Sequence, residues 1–158
     1  MPVGADISRY ALIAGPIFFV LVWIGTSMLI AALSGWHRLA GRFTSGAKPC
    51  GDIRTAGPWF HTVYARYATH YNSVIRMAAA HDALYLSVLP LFRAGHPPLR
   101  IPWNDIRVVP VQRGLRQMMA LSLGNKECVT FRISMRMARK LGLPERMAAA
   151  LPGAPPPA

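Results

Sequence analysis

Five histidines (positions 37, 61, 70, 81 and 96) and two cysteines, Cys50 and Cys128, are the residues here with the widest reach in metal and redox chemistry. Zinc needs such side chains brought together, as in Cys-x-x-Cys pairs or His-Glu-x-x-His on one helix face. In this chain they are scattered, so neither a metal site nor a cofactor is expected. Paired-carboxylate catalysis needs acids, and the whole sequence holds six. Ser87 and Ser122 lie in strand-like patterns without the Gly-x-Ser-x-Gly context of an activated nucleophile. No glycine-rich phosphate loop occurs. A non-enzyme is expected. The cysteines are far apart in sequence, which suits a reducing compartment and leaves a single bridge between them open.

Binding is the chemistry that remains. Leu91–Trp103, LFRAGHPPLRIPW, has two adjacent prolines that restrict its backbone. An exposed loop of this kind displays Arg93, His96, Arg100 and Trp103, and guanidinium with an aromatic ring suits phosphate or partner side chains. Arg107, Arg113 and Arg116 extend the set to a candidate basic face. The competing reading makes Pro97-Pro98 a stiffened crossover and Trp103 part of the core. The formal net charge is +12, and all but one of the 18 bases follow Leu33. Such charge attracts anionic lipid, an acidic protein surface or nucleic acid. An aromatic-basic nucleic-acid motif is absent, so that partner ranks last. Arginine supplies most of the bases in a chain rich in Ala, Pro and Gly, a bias that gene composition also produces.

The elements that must position these residues begin with Tyr10–Leu33, an uncharged run with aromatic Tyr10 at its start and Trp36 just beyond its end. As a helix it would be about 36 Å long, enough to cross a hydrocarbon core of about 30 Å. Its length and weakly charged flank (residues 1–9) favour an uncleaved anchor over a signal peptide, despite a passable Ala32-Leu33-Ser34 cleavage site. Tyr10 and Trp36 are placed to meet the headgroup layer, and the bases from Arg38 onward put the C-terminal part in the cytoplasm. In residues 34–58, Trp36, Leu39 and Phe43 recur at helical spacing. They predict a short juxtamembrane helix, either lying in the interface with Arg38 and Arg42 reaching phosphates or packing on the following domain. Thr44–Gly57 reads as a linker.

From Trp59 the period changes to two. Strands are expected in Trp59–Tyr67, Asn72–Ala78, Leu84–Val88, Leu99–Trp103, Ile106–Val111, Met118–Leu123 and Glu127–Ile133, with a hairpin at Gly124-Asn125. Ser134 is placed to cap a helix that breaks near Gly142-Leu143-Pro144. The tail, residues 152–158, has too many prolines to pack. A mainly β domain over residues 59–151, a small roll or barrel with a C-terminal capping helix, follows the membrane helix.

The stretch LYLSVLPLFRAGHPPLRIPWNDIRVV, and within it Ile101–Ile106, resembles uncharacterised bacterial single-pass membrane proteins with a pleckstrin-homology-like or GRAM-type domain. The resemblance covers about residues 59 to 150. It implies a seven-stranded β-roll closed at one end by the C-terminal helix, an inner-membrane location, and no catalytic residues. The expected function is a membrane-tethered, non-catalytic binding module for anionic lipid headgroups or an acidic protein partner. A structural accessory subunit of a larger membrane complex is the rival.

Overall fold

The computed structural model describes residues 3–57, 62–65, 70–72, 74–126 and 128–149, with the backbone alone for 3–11, 62, 70, 72, 113 and 149. Helix α1, Val3–Ser34, starts seven residues before the expected span and carries Pro16 in its interior. Its Leu12–Ser34 stretch is apolar and long enough to cross a membrane. Tyr10 lies within α1, with its side chain outside the described residues, so its headgroup placement stays an expectation.

Gly35 ends the first helix. Its φ is +83°, and a Cβ there would meet Val129 Cγ2 at 3.0 Å. The position therefore demands glycine twice over, for the left-handed turn and for the close approach. Helix α2, Trp36–Phe43, follows at once, and its Trp36, Leu39 and Phe43 are all buried. Its apolar stripe packs on the β domain, which decides between the two sequence-level readings. Trp36 at a headgroup interface is accordingly corrected: the indole is 0% exposed.

Nine strands are present among the described residues, in two antiparallel sheets. The first contains β1 (Arg54–Ala56), β4 (Ile75–Ala79), β5 (Ala83–Val88) and β6 (Leu99–Pro102), in the order β1-β4-β5-β6. The second contains β2 (Thr62–Tyr64), β3 (His70–Asn72), β7 (Ile106–Arg113), β8 (Arg116–Leu123) and β9 (Val129–Ser134), in the order β3-β2-β9-β8-β7. A 3₁₀ turn, Trp103–Asp105, carries the chain from the first sheet into the second.

Alternation decides which face goes inside. Met77 pairs with Leu86 and Ala79 with Leu84, all buried, while Arg76 opposite Ser87 and Ala78 opposite Tyr85 turn outward. In the second sheet Leu121 opposes Phe131 and Leu123 opposes Val129 on the inner face. Both sheets, α2 and the C-terminal helices share one apolar core.

The linker expectation is corrected at β1, where Ala56 pairs with Met77 and is 1% exposed. A three-residue strand carries little pattern of its own; β4 supplies the pairing. The first expected strand falls partly outside the described residues, and β3 and β4 replace one expected run. β8 and β9 pair as the expected hairpin, but with Leu123 opposite Val129 the connection is residues 124–128, longer than a two-residue turn, and β9 starts two residues after the expected strand. Ser134 Oγ accepts from the Met137 amide at 3.3 Å and caps helix α3, Met135–Lys140. Gly142, with φ +67°, breaks it before α4, Leu143–Ala149. The proline tail lies outside the described residues. Cys50 and Cys128 are exposed free thiols.

Candidate functional site

Residues 89–98, between β5 and β6, do not project as a free loop. They lie along the C-terminal half of α1. Trp23 Nε1 donates to the Leu91 carbonyl at 3.0 Å, and the Ser27 hydroxyl reaches the Phe92 and Ala94 carbonyls at 3.2 and 2.8 Å. The Phe92 ring sits 5.0 Å from that of Trp23. Gly95, φ +76°, lets the backbones close: a Cβ there would be 3.0 Å from Met28 Cα and 3.1 Å from Ala31 Cβ.

Behind this contact is a buried polar cluster. The Tyr71 hydroxyl lies 2.6 Å from Ser34 Oγ and 2.9 Å from His96 Nε2, and His96 Nδ1 faces the Ala94 carbonyl at 3.1 Å. With its proton on Nδ1, neutral His96 donates to Ala94, and the one Tyr71 phenol proton is then shared between Ser34 Oγ and His96 Nε2. Trp36 Nε1 donates to the Pro97 carbonyl at 3.0 Å. Burial pushes the Tyr71 phenol up to about 12, the Ser34 hydrogen bond opposing it. Burial also holds His96 below its ordinary value, against the Ala94 and Phe92 backbone contacts. A Ser-Tyr-His chain resembles a proton relay. Here Ser34, Tyr71 and His96 are 0%, 4% and 2% exposed, so a substrate has no path to them. Their geometry joins the α1–α2 corner, β3 and the loop.

His96 was expected on an exposed loop, and this is corrected. A half-apolar imidazole with two internal partners belongs inside. Trp103 is likewise held in place: Nε1 donates to the Ala80 carbonyl at 3.0 Å, and the Arg146 guanidinium lies 4.3 Å from its ring.

The basic residues expected on one face are divided among several places. Arg93 lines a groove of about 660 Å³ between the outer face of the first sheet and residues Ser45–Pro49. Arg100 is neutralised by Asp82, with Nη2 2.8 Å and Nε 3.1 Å from Oδ2. That contact holds the Asp82 carboxyl below its usual range and raises the guanidinium. Arg107 lines a different groove with Trp103 and Asn125. Arg113 and Arg116 close the β7–β8 hairpin, and the Arg113 side chain is outside the described residues. Leu123, at the other end of β8, pairs with Val129, the residue touching Gly35. At about 3.4 Å per residue, the hairpin tip is up to about 24 Å from the α1–α2 corner. Arg38 is exposed on α2. Arg42 reaches Asp105 at 3.8 Å and also stacks over Phe43.

The 660 Å³ groove gathers two bases that sequence reasoning missed. Lys48 comes from the linker wall and Arg76 from the outward row of β4, opposite Ser87. Among the described residues, Lys48, Arg76 and Arg93 have no ion-pair partner. Ser45, Ser87 and Tyr85 add hydroxyls to the lining. Thr44 bridges to Leu99, and the Ser45 amide donates to the Pro98 carbonyl at 3.1 Å, which folds the linker over the sheet. Arg76 was legible as an outward position between Ile75 and Met77. Lys48 had no periodic signal. Such a groove can hold a phosphate-sized anion by charge and hydroxyl contacts. No set of three or more metal-ligating side chains comes together among the described residues.

Comparison with protein-family models and with curated proteins found no match for this chain.

Proposed function

We propose that the protein is a membrane-tethered, non-catalytic binding module that holds the phosphate of an anionic lipid headgroup in the Lys48–Arg76–Arg93 groove. α1 is the tether, and the bases following it favour a cytoplasmic domain. Two antiparallel sheets followed by C-terminal helices support a pleckstrin-homology-like reading of that domain. The observation that carries the proposal is that three cations without ion-pair partners among the described residues line one groove. Arg93, on its wall, follows directly on Phe92, which is docked against the apolar helix. Tethering keeps the groove beside the membrane, so a weak contact is effective.

Full-length protein in nanodiscs of equal phosphatidylcholine and phosphatidylglycerol, released for native mass spectrometry, tests this. Phosphatidylglycerol adducts should dominate. They should disappear in the triple variant Lys48→Glu, Arg76→Glu, Arg93→Glu and persist in Arg113→Glu, Arg116→Glu. Equal retention of both lipids, or an unchanged triple variant, refutes the groove.

A further inference from the structure

Where the membrane surface meets α1 follows from its length. Arg9 is the last charge before the apolar run, and Leu91 contacts the helix at Trp23. Tyr10 to Val22, the part of the run below that contact, is about 20 Å of helix, short of the about 30 Å hydrocarbon core. A helix that crosses must therefore be immersed to about the level of Leu29. This places Leu91 roughly 9 Å below the hydrocarbon boundary.

We propose that Leu89–Phe92 is a lipid-embedded wedge, so that the domain is seated partly within one leaflet instead of swinging above it. The inference rests on the reading of α1 as membrane-spanning.

The composition of the wedge fits. Leu89, Pro90, Leu91 and Phe92 carry no charge, and Leu91 is 68% exposed with no protein covering it. The more demanding condition concerns the backbone. Irregular chain at membrane depth survives only if its polar groups find partners within the protein. Every carbonyl from Leu89 to Ala94 has a donor. The Leu89, Pro90 and Arg93 carbonyls accept from the amides of Phe92, Arg93 and His96 at 2.9, 3.2 and 2.9 Å. Leu91 accepts from the Trp23 indole and Ala94 from His96 Nδ1, which leaves the one Ser27 hydroxyl proton, in reach of both the Phe92 and Ala94 carbonyls, for Phe92. Among the amides of the wedge, those of Leu89 and Phe92 are bonded to the Val74 and Leu89 carbonyls and Pro90 has none to satisfy, which leaves the Leu91 amide as the one backbone group without a partner among the described residues. A surface loop in water has no need of two side chains from a neighbouring helix to satisfy its carbonyls; a loop in lipid does. The exposed Arg93 at the end of the wedge lines the groove, and its stem can carry the guanidinium up to the phosphate layer.

The test uses the full chain in liposomes, with Cys50→Ser and Cys128→Asn to remove native thiols. Asparagine is chosen because Cys128 has φ 45°. Leu91→Cys, Ile17→Cys and Leu115→Cys, each at an exposed position, are labelled singly with an environment-sensitive fluorophore. The wedge requires the Leu91 label to match Ile17: blue-shifted, quenched by lipids with a nitroxide on the acyl chain, and resistant to iodide. Leu115, on the hairpin tip, should show the reverse. If Leu91 behaves like Leu115 while Ile17 stays shielded, the wedge is wrong and the spanning helix stands. If Ile17 is also open to iodide, α1 does not span and the wedge falls with it.

Discussion

The two halves of α1 come from one uncharged run and do different work. From Leu12 to Val22 the helix presents Leu12, Ile13, Ile17, Phe18, Phe19 and their neighbours outward, with no buried position. From Trp23 to Ser34 it carries Trp23, Ser27 and Ser34, each bonded to another part of the chain or to its own corner, and Ala31 is 2% exposed. Neither half carries a charge. What separates them is a few small or polar side chains at positions that another backbone approaches. A tether attached through a flexible linker would leave its domain free to swing. Here α1 runs through Gly35 into α2, whose Trp36 is buried in the core, so helix and domain should unfold together.

The largest test of that coupling is Trp36→Ala. The indole is fully buried against Phe131, Tyr71 and His96, so truncation should cost about 3–5 kcal/mol and release the helices from the domain. Thermal unfolding in mild detergent, followed by near-ultraviolet circular dichroism, measures it. A shift no larger than that of an exposed-site variant would mean that α1 and the domain are independent. A soluble fragment beginning at residue 44 would lack this side chain along with Leu39 and Phe43, and should fail to fold as the full chain does.

Adjacent hydroxyls give a sharper contrast. Ser27→Ala removes the donor from the Phe92 carbonyl, and should cost about 1–3 kcal/mol. Thr26 bonds only within its own helix, to the Val22 carbonyl at 2.8 Å, so Thr26→Ala should change stability by less than about 0.5 kcal/mol. Equal effects would erase the distinction between a docked and a bare face of the helix.

The smallest effect is a dependence on pH. Burial lowers the His96 pKa in the fold, so between that value and about 6.5 the unfolded chain binds more protons than the native one. Stability should be full above about 6.5 and fall as pH drops through that value toward the folded pKa. Melting temperatures from pH 8 to pH 5 should show this slope, and His96→Asn should flatten it. An unchanged slope would assign it to other groups.

Several features were legible because they are local. The apolar run, the alternation in β5 and β8, the β8–β9 hairpin and the Ser134 cap depend on neighbours within a few residues, and each is present, the hairpin with a longer connection than its Gly-Asn signal suggests. β1 was not legible, since three residues become a strand only when Ala56 meets Met77. The binding residues were least legible. Arg100 and Arg93 look alike in sequence, yet one is neutralised by Asp82, 18 positions away, and the other stands in a groove beside Lys48 and Arg76. His96 read as a displayed loop residue because its partner Tyr71 is 25 positions distant.

From its sequence alone this chain determined a long apolar helix, an amphipathic turn of helix behind it, a mainly β domain and an excess of positive charge. These are consequences of side-chain period and composition, which act along the chain. The tertiary structure alone decided which bases share a groove, which histidine is sealed inside, and that the loop at Pro90 lies against Trp23. Burial, hydrogen-bond partners and charge pairing depend on distance through space, and distance through space exists only once the sheets have closed on α1 and α2.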